Sequence, residues 1–94
     1  MPISFHARVV VPPHVLLQQV GEESVLLDLK TERYFGLDSV GTRMWETLAK
    51  ADNVEAAYQE LLSCYEVDAG RLRQDMETLV GKLVESGLLE IKNE

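Results

Sequence analysis

The stretch T-E-R-Y-F-G-L-D-S-V-G-T-R-M-W-E-T-L, residues 31–48, decides the fold because its periodicity changes in the middle. Residues 33–37 are rich in aromatic and apolar side chains and predict a short strand. Asp38 and Ser39 are both favourable helix N-caps. The apolar residues that follow are spaced as on one face of a helix, and they are Val40, Met44, Trp45 and Leu48. A strand is therefore joined almost directly to a helix, with sheet expected before this stretch and helix after it.

Upstream of the junction the sequence predicts an antiparallel sheet of three or four strands. Residues 3–10 alternate in part and end at two prolines, which cannot donate to a ladder; the apolar side of this strand would be Phe5, Ala7 and Val9. Residues 15–20 and 25–29 are extended runs on either side of a turn cluster. Residues 33–37 then pair back across a short polar turn as a hairpin. In the run 25–29, the residues expected to face one way are Val25, Leu27 and Leu29.

Downstream of the junction the sequence predicts three helices, over about 39–49, 54–65 and 69–86. Asp68 is the expected N-cap of the third helix, and Gly87 is expected to end it in a left-handed conformation. The apolar stripe of this helix consists of Leu72, Met76, Leu79, Val80, Leu83 and Val84. A short extended tail follows and can pack back on the sheet. Together these elements predict an α+β, winged-helix-like fold in which an N-terminal antiparallel three-stranded sheet is followed by three helices.

The composition bounds the possible functions. The chain has 94 residues, which favours a single domain over residues 1–94. Its formal net charge of −7 repels the phosphates of nucleic acids and anionic lipids. The sequence has neither a signal peptide nor an apolar run near the ~20 residues that span a bilayer. We therefore expect a cytoplasmic protein that binds neither nucleic acid nor membrane.

Residues able to carry chemistry are few. Cys64 falls on or near the packed face of the second helix and is expected to be a buried structural thiol. His6 and His14 lie on N-terminal strands with no carboxylate cluster nearby in sequence. One cysteine and two histidines cannot supply a zinc site, and the isolated glycines form no phosphate-binding loop. We therefore expect a binding module with no catalytic residue, metal site or cofactor.

Two modes of binding suit a small sheet followed by helices. The first is DNA recognition by a helix, and the second is a peptide that adds as a strand to an exposed sheet edge. The third helix has no basic face, since its charged residues have both signs: Arg71, Arg73, Asp75, Glu77, Lys82 and Glu85. The edge of strand 33–37 offers unpaired backbone groups, which proteins either cover or use. Phe35 and Leu37 are expected to be core residues, whereas Tyr34 points to the opposite face.

At this point the sequence resembles the PqqD-like proteins. Residues 25–48 share the family's hairpin, its strand ending in Leu-Asn or Leu-Asp, a spaced small residue and an apolar pair, here Leu37-Asp38, Gly41 and Met44-Trp45. The segment D-M-E-T-L-V-G-K-L-V-E-S-G-L-L, residues 75–89, is similar to the end of the family's third helix. The resemblance extends over about residues 25–91.

The resemblance implies a non-catalytic recognition element for ribosomally made, post-translationally modified peptides. Such proteins capture the leader of a precursor peptide and present it to a leader protease or another modifying enzyme. The leader adds as a strand beside the last strand of the hairpin, in a groove against the third helix. Transferred to this chain, and with the groove on the Asp75 side of the helix, the peptide-binding residues are Glu32, Arg33, Tyr34, Phe35, Gly36, Leu37, Leu72, Asp75, Met76, Leu79 and Lys82.

Within the family, the small size and the hairpin look most like the leader-binding proteins of lasso peptide clusters, which work with a separate cysteine protease. A second branch consists of peptide chaperones for a radical enzyme in pyrroloquinoline quinone biosynthesis, and it is the first alternative. A winged-helix DNA-binding regulator is the alternative from another class, and the acidic charge counts against it.

Overall fold

The computed structural model describes residues 4–92. In chain order its elements are β1 (Arg8–Val10), β2 (Val15–Val20), β3 (Glu23–Asp28), β4 (Arg33–Leu37), α1 (Ser39–Lys50), α2 (Val54–Cys64), α3 (Ala69–Glu85) and β5 (Glu90–Lys92). Strands β2, β3 and β4 form an antiparallel three-stranded sheet in that order, and three helices follow. This confirms the predicted α+β architecture, and each predicted helix end agrees within one residue.

Side-chain caps explain why the three helices begin where they do. The carboxylate of Asp38 accepts a hydrogen bond from Gly41 N at 2.7 Å, and that of Asp68 accepts one from Arg71 N at 2.8 Å. The side chain of Asn53 does the same for α2. Each cap satisfies one of the amides that a helix N-terminus leaves without a partner. At the other end of α3, Gly87 has φ 75°, the left-handed conformation that glycine adopts at least cost.

The first strand differs from its prediction. Only residues 8–10 are extended, and they pair antiparallel with β5 as a separate two-stranded sheet. Residues 5–7 instead form a turn whose carbonyls bind the start of α2, with Val54 N donating to Ala7 O and Glu55 N donating to Phe5 O. Phe5 and Ala7 are nevertheless buried, and the Phe5 ring packs edge-on against Tyr58 of α2, with the ring centroids 5.9 Å apart. Residue 3 lies outside the described part of the chain.

Two neighbouring clusters of apolar side chains make up the core. The first lies among the helices and includes Phe5, Met44, Leu48 and Met76. The second lies between the three-stranded sheet and α3, and its members include Leu26, Leu37, Trp45 and Leu83. The consecutive residues Met44 and Trp45 belong to different clusters. Helix α1 therefore fixes the sheet relative to the other helices, which explains why the strand–helix junction organises the fold.

The buried face of β3 is not its most apolar face. Ser24, Leu26 and Asp28 are buried, whereas Val25 and Leu27 lie on the opposite side. The Ser24 and Thr42 hydroxyls are 2.7 Å apart and hydrogen-bonded. This bond joins β3 to α1 and offsets the cost of burying both polar groups.

The single cysteine does not occupy its predicted environment. Cys64 is the last residue of α2 and is exposed, so the expectation of a buried structural thiol is wrong. The apolar stripe of α2 uses Val54, Ala57, Tyr58 and Leu61 instead. Cys64 lies three positions after the buried Leu61, but it falls in the final turn of α2, where its side chain is exposed.

Candidate functional site

The site is built on the outer strand of the sheet. Strand β4 pairs with β3 on one side, with Leu26 opposite Phe35 and Ser24 opposite Leu37, and it has no other strand partner among residues 4–92. Half of its backbone N–H and C=O groups therefore point away from β3. Such an edge can accept another extended chain with the hydrogen bonds of a normal ladder.

A groove lies beside this edge, between β4 and α3. Its volume is about 280 Å³, and it is lined by Phe35, Gly36, Leu37, Asp38, Gly41, Asp75, Thr78, Leu79 and Lys82. We call it the β4–α3 groove. The helical residues that line it are separated by three or four positions, so they form one face of α3. An added strand would thus find backbone partners on β4 and side-chain partners on α3.

A side chain at position 41 would be crowded at the α1 end of the groove. A Cβ atom at Gly41 would lie 3.3 Å from Asp38 Oδ1 and 3.3 Å from Leu37 Cδ2. The absence of a side chain lets the first turn of α1 approach the end of β4 closely. This contact gives a structural reason for the small residue that follows the Leu-Asp pair.

The structure brings six of the residues named from the sequence to this groove: Phe35, Gly36, Leu37, Asp75, Leu79 and Lys82. Two others, Leu72 and Met76, are 7% and 0% exposed and belong to the helical core cluster, so they do not line it. They share the apolar stripe of α3 with Leu79, but Leu79 lies at the edge of the stripe nearest β4. Their inclusion among the peptide-binding residues remains a prediction.

The remaining three named residues lie at the start of β4. Glu32 has φ 62° and closes the β3–β4 turn, while Arg33 is the first residue of the strand. Tyr34 is 76% exposed and points away from the core, as expected. These residues adjoin the strand edge without lining the groove.

Asp28 anchors this turn, and sequence reasoning did not identify it. It is 4% exposed, and its Oδ1 accepts hydrogen bonds from Lys30 N at 2.9 Å and Thr31 N at 3.2 Å. Burial disfavours ionisation, but these bonds outweigh it and hold the pKa of Asp28 below its ordinary value. His14 Nε2 lies 3.8 Å from the same oxygen. The signal in the sequence was an aspartate two residues before a polar turn.

The side of the sheet that faces away from the helices carries an apolar surface, which we call the outer face. Its residues are Leu16, Val20, Val25, Leu27 and Tyr34, and three of them are half or more exposed: Leu16 at 50%, Val20 at 67% and Tyr34 at 76%. Gly36 has no side chain to cover this side, and a concavity of about 430 Å³ lies beside it. The exposed Gln18 and Glu23 lie on the same side, between and beside these residues. Exposed apolar residues grouped on one face of a sheet are a candidate contact surface for another molecule.

The described residues contain no cluster of three or more histidine, cysteine, aspartate or glutamate side chains able to hold a metal ion. Within the same part of the chain, none of the helices is both long and apolar enough to cross a bilayer.

Comparisons with solved structures give two close matches. One is described as TbiB1 in complex with the TbiA(beta) leader peptide; it is 31% identical, has a TM-score of 0.79, and the match covers 89% of this chain and 98% of that one. The other is a lasso peptide synthetase B1 complexed with the leader peptide; it is 26% identical, has a TM-score of 0.78, and the match covers 89% and 99%. No sequence among the curated proteins matches the chain significantly.

A family model supplies the sequence evidence. Residues 23–89 match the model described as coenzyme PQQ synthesis protein D (PqqD). This region begins at β3 and ends just before β5, so it contains the hairpin, the strand–helix junction and all three helices. The chain belongs to the PqqD family.

Proposed function

We propose that this protein is a leader-recognition domain, formed by the whole chain, that captures the leader of a ribosomally made precursor peptide in lasso peptide biosynthesis. The observation that carries the proposal is the free edge of β4 beside the β4–α3 groove. Two proteins of the same fold, 31% and 26% identical to this chain, are described in complex with leader peptides. The leader adds as a fourth strand beside β4 and places alternate side chains against α3.

The chemistry of the site suits recognition without catalysis. An added strand gains main-chain hydrogen bonds on β4, and the groove selects among side chains. The turn before β4 is held by the buried Asp28 carboxylate and α1 is capped directly after it, so both ends of the strand are fixed. A fixed edge reduces the ordering cost that binding must offset.

The outer face provides the surface for the enzyme that acts on the captured precursor. A leader strand on β4 would extend this face, because every second leader side chain would lie beside Tyr34 and Gly36. Glu22 and Glu23 are exposed at the β2–β3 turn next to Val20. We therefore propose that the partner enzyme, a leader protease in the lasso reading, presents an apolar patch bordered by basic residues.

Substituting Val20 tests this surface. Val20→Glu introduces a charge at an exposed position, so stability should change by no more than about 0.5 kcal/mol and leader affinity should be unchanged. The Val20→Glu protein should no longer stimulate cleavage of the precursor by the cluster's protease. Val67→Glu makes the same substitution at an exposed apolar residue between α2 and α3 and is the matched control. Normal cleavage with Val20→Glu would rule out this docking surface.

Two alternatives follow from particular observations. The matching family model is described by its role in coenzyme PQQ synthesis, which favours a peptide chaperone for a radical enzyme. The leader site would be the same, and only the partner would differ. A DNA-binding regulator is disfavoured by the net charge of −7 and by the mixed charges on α3.

Titration with the leader encoded beside this protein's gene tests the proposal. Fluorescence anisotropy should give a dissociation constant of about 10 nM to 10 μM, the range we expect for one added strand with a few anchors. The affinity should not depend on added metal. If the labelled leader shows no saturable change, the proposed function is wrong.

A further inference from the structure

The β4–α3 groove has a defined direction along its length. Residues 35–38 line it together with Asp75, Thr78, Leu79 and Lys82. A second cleft continues past the turn end of the hairpin, where Lys30 and Thr31 lie near Val84, Ser86 and Gly87. Helix α3 therefore runs antiparallel to β4, with Asp75 near the end of the strand and Lys82 nearer its start.

The two ends of the groove carry opposite charges. Asp38 and Asp75 line the end nearest α1, so two carboxylates lie there. Lys82 lines the other end, and the exposed Arg33 begins β4 on the same side. The side chain of Lys82 forms no ion pair or hydrogen bond with another residue of 4–92, and the Asp75 carboxylate has only a loose contact with Arg71 at 3.9 Å, between side chains that are 54% and 81% exposed. Both charges are therefore available to a bound peptide.

The spacing of the two charges matches an extended peptide. Lys82 follows Asp75 by seven positions on α3, a distance of about 10 Å along the axis. A strand advances about 3.3 Å per residue, and its side chains alternate between the two faces. Leader residues two or four positions apart, about 7 or 13 Å, therefore lie on one face and can meet both charges through their long side chains.

We infer that the groove selects leaders by the order of their charges: a cationic side chain beside Asp75 and an anionic side chain beside Lys82, two or four residues away on the same side of the strand. This inference rests on the proposed function and adds the class of peptide that the site accepts. Each exposed pair should favour the matching peptide by about two- to fivefold, and added salt should weaken the preference.

Selection from a library of random 14-residue peptides displayed on yeast tests the inference. The purified wild-type protein should enrich peptides in which Lys or Arg and Asp or Glu lie two or four positions apart, in one order along the peptide. The double variant D75K/K82D reverses the charges of the groove at constant net charge. It should enrich the opposite order, whichever direction the bound strand runs. The variant E46K/K50E makes the same exchange on α1, away from the groove, and should keep the wild-type order. Thermal melts establish that both variants are folded.

The outcomes of this selection distinguish the charge-order inference from the proposed function. Inversion of the charge order in D75K/K82D alone supports the inference. Strand-forming peptides enriched without charge order, or with one order in all three proteins, overturn the inference and leave the proposed function standing. Failure of the folded wild-type protein to enrich any peptide counts against both.

Discussion

At the scale of single residues, Asp28 determines how the binding edge begins. Its carboxylate is buried and accepts hydrogen bonds from the backbone amides of Lys30 and Thr31. Since aspartate is rarely buried without such partners, its position reflects the turn rather than the hydrophobic core. This turn determines where β4 begins. A substitution of Asp28 should therefore affect the β4 edge although Asp28 does not line the groove.

The pH dependence of stability tests this role. The pKa of Asp28 is lower in the fold than its ordinary value of 3.8, so the ionised carboxylate stabilises the fold above that pH. This contribution disappears as the pH falls through the lowered value. Asp28→Asn keeps an oxygen acceptor for the amides but carries no charge. In urea unfolding, the variant should be less stable than wild type at pH 6, and the difference should shrink in acid. A difference that is constant down to pH 2.5 would contradict the assignment.

Met76 and Leu79 separate core packing from peptide contact. Met76 is fully buried, so Met76→Ala should cost about 2–5 kcal/mol of stability. At a temperature where the Met76→Ala variant is still folded, its affinity for the leader should stay within about twofold of wild type, a difference of less than about 0.5 kcal/mol. Leu79 is half-buried and lines the groove, so Leu79→Ala should weaken leader binding by about 1–2 kcal/mol with a smaller loss of stability. Calorimetry and thermal melts on both variants measure this contrast, and equal effects on affinity would contradict it.

At the scale of elements, the strand β4 has two sets of amides with different roles. One set, either Arg33, Phe35 and Leu37 or Tyr34 and Gly36, faces β3, and the other faces the free edge. Proline removes one donor and fixes φ near −65°. Edge positions tolerate it, whereas positions that face the paired strand do not. Proline substitutions can therefore show which set of amides faces β3 and which faces the free edge.

Arg33→Pro and Tyr34→Pro should have opposite phenotypes. One variant should lose stability because it removes a bond to β3. The other should remain stable but bind leader more weakly by about 1 kcal/mol, about fivefold in affinity. Melting temperature and leader affinity are measured for both. Normal binding by two folded variants would mean that no peptide adds to β4.

The elements also show which features the sequence could predict. Helix starts were predictable because Asp38 and Asp68 are local signals, with each cap bonded to an amide three residues away. The partner of β1 was not, because Val9 opposite Ile91 is a contact between the two ends of the chain. The buried face of β3 could not be predicted either. Ser24 and Asp28 are buried because hydrogen bonds satisfy their polar groups, and the pattern of apolar residues does not reveal those bonds.

The site was predictable to a similar extent. The free edge followed from the hairpin, and the flank of α3 that faces it was expected from Asp75 and Lys82, which the structure places in the groove. Leu72 and Met76 could not be excluded from sequence, because one apolar stripe serves both the core and the groove edge. Leu16 and Val20 are four positions apart, so the sequence places both on one side of β2, but a strand pattern does not say which side faces the helices.

At the scale of the whole molecule, the three-stranded sheet separates two surfaces. The helices cover one side, the outer face lies on the other, and the β4 edge lies between them. A leader bound at this edge would contact the groove and extend the outer face at the same time. Under this proposal, capture of the leader and presentation to an enzyme need one small domain and no conformational change.

Hydrogen exchange of the β4 backbone amides, resolved by residue with NMR, tests whether the leader adds as a strand at this edge. In the free protein, the amides that face β3 should be protected and those at the free edge should exchange quickly. Saturating leader should slow exchange at the edge set alone, giving protection at every position from Arg33 to Leu37. The Thr31 amide, already bound to Asp28, serves as the internal reference. Leader binding that leaves the edge amides of β4 unprotected would contradict strand addition at this site.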